Sequence, residues 1–128
     1  MIDQNINELI NRLITKTDFE QAIWRKTSRD TEFMLTLESG SVITIDKWFN
    51  NNEDYIDFAI LSEIGEDIYR SNSYSNSSDE FKKLNNLYEV IQAKYHNKIN
   101  RTLNSILFEI NSNKVIGQNT NNITKNKL

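Results

Sequence analysis

Apolar positions in this chain follow three successive rhythms: a helical stripe, a run of alternating segments, and a second, longer helical stripe. In the first, Ile2, Ile6, Leu9, Ile10, Leu13 and Ile14 line one side, while Asp3, Gln4, Asn7, Glu8, Asn11 and Arg12 fill the other. This spacing predicts an amphipathic helix over residues 2–17. Residues 15–18 end it with side chains that prefer turns and caps. Residues 20–27, with Ala22, Ile23 and Trp24 among polar neighbours, read as a first strand, and Ser28-Arg29-Asp30 as a turn. Residues 31–38 alternate, Phe33, Leu35 and Leu37 against Glu32, Thr36 and Glu38, with Met34 the exception on the polar side. Ser39-Gly40 then connects to a third alternating run, residues 41–47, in which Ile43 and Ile45 oppose Val42 and Thr44. The pair predicts an antiparallel hairpin.

Trp48-Phe49 precedes a polar stretch, residues 50–54, expected to be a loop. Two adjacent rings in an extended segment face opposite ways, so at least one is expected at the surface. Residues 55–62 predict a fourth strand, Ile64-Gly65-Glu66 a turn, and residues 67–72 a short fifth strand with Ile68 and Tyr69. None of the gaps holds the dozen or so residues of a helical crossover, so the sheet is expected to be an antiparallel meander. Residues 71–78 (SNSYSNSS) read as a linker ending in Ser77-Ser78-Asp79-Glu80, the S-x-x-E form of a capping box.

The strongest pattern follows. Phe81, Leu84, Tyr88, Ile91 and Tyr95 recur at steps of three and four. Ile99, Leu103, Ile106 and Ile110 continue the stripe after a phase slip near Lys98, and Leu87, Leu107 and Phe108 widen it. No Gly or Pro interrupts residues 79–110. Such a helix would be ~48 Å long at 1.5 Å per residue, whereas a strand of six or seven residues spans ~20–24 Å. Either the helix breaks near Tyr95–Lys98 and folds back, or its far end meets the first helix or another molecule. The reading favoured here is a helix that packs first on the sheet and then engages a second copy of the chain.

The expected fold class is therefore α+β: a five-stranded antiparallel meander with an N-terminal helix and a long C-terminal helix packed on one face (α-β-β-β-β-β-α). The opposite face, carrying Thr and charged residues, should be partly solvated. Residues 1–110 are expected to form a single domain, and residues 111–128, with six Asn, three Lys and no acid, a flexible tail. A length of 128 residues suits one domain, and 38% hydrophobic side chains suffice for a core and exclude global disorder.

Charge refines this picture. Residues 1–81 carry seven bases and sixteen acids, a net of −9, and residues 82–128 eight bases and two acids, a net of +6. Such separation can organise docking within the fold or between copies. The densest acidic stretch is Glu53, Asp54, Asp57, Glu63, Glu66 and Asp67. With Trp48 and Phe49 beside it, it marks Trp48, Phe49, Glu53, Asp54 and Asp57 as candidate residues for binding a protein partner with a basic surface.

The catalytic inventory is thin. There is no Cys, so no thiolate, disulfide or Cys-based zinc site, and His96 is the sole imidazole. No G-x-S-x-G elbow, Walker A motif, dinucleotide fingerprint or EF-hand loop occurs. No cofactor or metal is expected. An alternative binding chemistry lies at Trp24, Arg25, Lys26 and Arg29, where bases beside an aromatic ring could hold a phosphate and stack a base. The long helix would add Lys82, Lys83, Lys94, Lys98 and Arg101. An acidic pI of about 5.2 argues against a polynucleotide partner.

No apolar run approaches a membrane span, and the first ten residues lack a signal peptide's pattern, which leads to the expectation of a cytoplasmic protein. The abundance of Asn, Ile and Lys points to an AT-rich genome, bacterial or phage. Small acidic secretion chaperones and toxin-immunity proteins offer an analogy of size and class only. The expected function is a non-enzymatic protein-binding module: an inhibitor, immunity protein or accessory subunit. The alternative is a nucleotide or nucleic-acid binder.

Overall fold

The computed structural model describes residues 4–75 and 79–117. Helix α1 (Gln4–Asp18) is followed by strands β1 (Arg25–Lys26), β2 (Glu32–Thr36), β3 (Val42–Asn50), β4 (Glu53–Leu61) and β5 (Asp67–Tyr74), and then by helix α2 (Asp79–Ile110). The strands form one open antiparallel sheet in the order β1-β2-β3-β4-β5. The α+β class and the meander are as the alternation and short connections predicted. By its contacts the chain divides into two units, Met1–Tyr95 and His96–Leu128.

In the first unit, both helices bury their stripes on the same sheet face. Ile10 and Leu13 of α1 and Phe81, Leu84, Leu87, Tyr88 and Ile91 of α2 share one core with Phe33, Leu35, Ile43, Ile45, Ile56 and Phe58. The strand residues are register partners: Phe33 with Ile45 and Ile45 with Phe58, Leu35 with Ile43 and Ile43 with Ile60. They therefore stand on one side of the pleat. Edge-to-face contacts of Phe33 with Tyr88 (5.6 Å) and Tyr95 (5.3 Å) tie β2 to α2.

Element ends differ from the predicted ones for local reasons. The first strand is two residues long, not eight. The chain after α1 is occupied by a Schellman closure, Gln21 N–H donating to Lys16 C=O (2.8 Å) and Glu20 N–H to Thr17 C=O (2.9 Å), with Glu20 at φ 60°. The predicted loop at residues 50–54 is instead a two-residue turn. Asn51 and Asn52 adopt φ 51° and 65°, the left-handed pair of a type I′ hairpin, so β3 and β4 run up to it on both sides. Asn tolerates this region better than other residues with a Cβ. The fifth strand, predicted over residues 67–72, runs on through Ser73 and Tyr74, which were read as linker, in register with β4. The capping box rests on Ser77 and Ser78, which lie outside the described residues. The Glu80 carboxylate accepts hydrogen bonds from the Tyr69 hydroxyl (3.1 Å) and the Ser71 hydroxyl.

Helix α2 is continuous through Tyr95–Lys98. In the second unit it ends with Asn111 N–H donating to Leu107 C=O (2.9 Å) and Ser112 Oγ to Glu109 C=O (2.7 Å). Residues 113–117 are exposed, and residues 118–128 of the expected tail lie outside the described residues.

Candidate functional site

The sheet face turned away from the helices is organised in rows by strand register. Arg25, Met34, Thr44, Ala59 and Arg70 form one row. Glu32, Asp46, Asp57 and Asn72 form the next, and Trp48, Tyr55 and Tyr74 the one beyond. Successive rows lie ~7 Å apart, two residues along each strand. Asn50 and Glu53 close the face at the Asn51-Asn52 turn. The expectation of a Thr-rich, charged face thus holds only in part, because an aromatic row crosses it.

That row is built by register. Trp48 pairs with Tyr55 and stacks on it at 5.7 Å with planes 15° apart, and Tyr55 meets Tyr74 at 6.0 Å. Trp48 and Tyr55 are half-buried and Tyr74 is exposed. Phe49, the next residue, points to the other face and is 66% exposed. Trp48 and Phe49 therefore do face opposite ways. The five residues proposed for partner binding all lie on the β3–β4 hairpin, but its register divides them: Trp48, Glu53 and Asp57 stand on the open face, and Phe49 and its partner Asp54 on the other. The sequence reading missed Tyr55 and Tyr74 as members of the same surface. An Asn-Asn pair read as a turn would have placed Tyr55 opposite Trp48.

The carboxylate row holds guanidinium groups. Arg29 reaches back from the β1–β2 turn to Asp46 (2.8 Å), whose side chain is 4% exposed and also accepts from the Thr31 hydroxyl (2.5 Å). Arg70 bridges Asp57 (3.4 Å) and Asp67 (3.2 Å). Burial raises the Asp57 carboxyl above its ordinary value. Arg70 opposes this, Asp46 and Glu32 reinforce it by repulsion, and Arg29 opposes it more weakly. Among the described residues, no group of three or more His, Asp or Glu side chains is close enough to hold a metal ion.

The structure does not bring the alternative set together. Trp24 is buried, its indole N–H donating to the Thr17 hydroxyl (3.0 Å), and its ring belongs to the core. Arg25 and Lys26, as neighbours in a strand, take opposite faces. Lys26 donates to the Asp30 carbonyl (2.6 Å) and sits over Phe33, while Arg29 is held by Asp46. Of the long helix's bases, Lys94 lies beside Asp18 (3.9 Å) and Glu20 (3.7 Å), and Lys83 donates to the Asn11 side chain (3.2 Å).

The second unit offers a different surface. Ile99, Leu103, Ile106 and Ile110 are all exposed and recur at steps of four, three and four. Leu107 adjoins them, and Phe108 is 80% exposed. Phe108, nine residues beyond Ile99, falls on the opposite side of the helix from this stripe, so it does not widen it as the sequence pattern suggested.

Fold and surfaces together define a small α+β protein with one sheet face covered by helices and the other open. No family model matches the chain, and no curated protein and no solved structure is significantly similar to it. Among the described residues no helix is long and apolar enough to cross a membrane.

Proposed function

We propose that the protein is a non-enzymatic protein-binding module, an inhibitor, immunity protein or accessory subunit acting in the cytoplasm, and that it pairs with a second copy of itself through the far half of α2. The observation that carries this reading is the exposed stripe Ile99, Leu103, Ile106 and Ile110. Contiguous exposed apolar surface marks association sites in soluble proteins. Its 4-3-4 spacing is that of a coiled-coil seam. Of the flanking positions, Asn100, Thr102 and Leu107 are uncharged and Glu109 is acidic, so charge at the seam's edge comes from Glu109. Lys98 and Arg101 fall on other sides of the helix.

Light scattering across a concentration series tests the pairing. The expected result is a mass that rises from one chain to two, with Leu103→Glu holding the protein at one chain while leaving its circular dichroism unchanged. A single-chain mass at every concentration would remove the self-association. A partner captured by the parent chain and equally by Leu103→Glu would move the binding surface off this helix.

A further inference from the structure

The open sheet face carries a second inference, which rests on the protein-binding reading and names the chemistry of the partner. We propose that the row Trp48, Tyr55 and Tyr74 is a recognition site for cationic side chains, arginine or lysine, carried on a protein partner. The row lies between carboxylates: Asp46 and Asp57 on one side along the strands, Glu53 on the other. With Glu32, four carboxylates stand on these rows, against the three guanidinium groups of Arg25, Arg29 and Arg70. Its charge is therefore complementary to a basic segment, and aromatic rings add cation–π attraction to the Coulomb term.

The protein already uses both interactions internally. Arg29 arrives from a turn to meet Asp46, which shows a guanidinium seated on this carboxylate row. On the covered face, Lys26 lies over Phe33 (5.2 Å) and Tyr95 (5.7 Å), and Lys47 over Tyr88 (6.0 Å). The open face repeats these ingredients, rings beside acids, where a partner can reach them. Burial and neighbouring carboxylates disfavour ionised Asp57 more than Arg70 favours it, so an added cation would relieve that imbalance. A nucleic acid, which brings phosphates to the same carboxylates, is repelled.

Titration of the full-length chain with a capped hexa-arginine peptide at low ionic strength tests the site. The readouts are Trp48 fluorescence and amide NMR shifts. Saturable binding is expected, with shifts confined to residues around Trp48, Tyr55 and Tyr74 and affinity falling steeply with added salt. Trp48→Phe removes the fluorescence response yet keeps the fold, identifying the reporter ring. Tyr74→Ala, an exposed edge position, weakens binding roughly two- to fivefold, and Glu63→Gln/Glu66→Gln, at a distant acidic turn, leaves it unchanged. Absence of binding at about 1 mM peptide, shifts centred on residues 63–67, or equal binding of hexa-glutamate would overturn the inference. If the peptide fails while Leu103-dependent pairing persists, the cationic site alone is lost. If both fail, so does the protein-binding reading.

Discussion

The two halves of α2 carry the same kinds of side chain at nearly the same spacing and meet opposite fates. Leu84 and Leu87 are fully buried, whereas Leu103 and Leu107 are about half exposed, at 51% and 55%. Helical period determines which side chains share a face, but only a neighbouring surface determines whether that face is covered. For the first half the neighbour is the sheet face of Phe33, Ile45, Ile56 and Phe58. The sheet repeats the contrast between its two sides. One side is closed by both helices, and the other holds charges and a row of three rings in the open.

The sharpest way to break this comparison is to truncate one leucine in each half. Leu84→Ala should cost about 2–5 kcal/mol, since it removes a fully buried side chain and leaves a cavity between α2 and the sheet. Leu103→Ala, in dilute protein where only single chains are present, should change stability by no more than about 0.5 kcal/mol. Urea unfolding at low and high protein concentration measures both effects. A Leu103→Ala loss that grows with concentration belongs to pairing between copies. A large loss that is independent of concentration would mean that the far half is covered within one chain.

A smaller effect sharpens the covered side. The Tyr88 hydroxyl donates to the Thr31 carbonyl (2.7 Å), joining α2 to the turn that also sends Arg29 to Asp46. Tyr88→Phe should cost about 1 kcal/mol at neutral pH by removing this bond. Burial first, and then the negative charges of Asp46 and Asp30, push the Tyr88 phenol up to about 12. The folded chain therefore keeps its proton between pH 10 and 12 while the unfolded chain releases it, and stability falls as pH rises through that window. Tyr88→Phe should flatten the alkaline side of the stability–pH curve. An unchanged alkaline slope would place its origin in other groups.

These elements also show what was legible beforehand. Alternation gave β2, β3 and β4, and the three-and-four stripe gave α2, because burial on one face imposes those periods directly. What escaped was decided by backbone geometry that leaves a weak mark in composition. Glu20 in a left-handed conformation shortened the first strand, and Asn51-Asn52 lengthened the hairpin that carries Trp48. Ser73 and Tyr74 looked like linker because they sit in a Ser- and Asn-rich run, and such residues seldom favour strands, yet pairing with β4 overrides that preference. The acidic hairpin residues were legible as neighbours along the chain, but strand register sends Glu53 and Asp57 to one face and Asp54 to the other. The three-ring row was not, since it depends on register across three strands. Trp24, Arg25, Lys26 and Arg29 are close in sequence but are divided by strand alternation and core packing.

The smallest expected effect concerns the open face. Asp57 stands in the carboxylate row with its side chain one-third exposed and Arg70 at 3.4 Å. Burial raises its carboxyl above the ordinary value of 3.8. Repulsion from Asp46 and Glu32 adds to the rise, and Arg70 and Arg29 hold it back. The folded chain thus binds this proton more tightly than the unfolded chain, so stability falls as pH climbs from 3.8 through the raised value, and ionised Asp57 costs stability at neutral pH. Asp57→Asn should therefore be slightly more stable than the parent at pH 7, by less than about 0.5 kcal/mol given solvent screening. The difference should vanish below pH 3.8, where both states hold the proton. Thermal unfolding of the two proteins across pH 3–7 checks this. A variant less stable than the parent at pH 7 would mean that the ion pair to Arg70 outweighs burial.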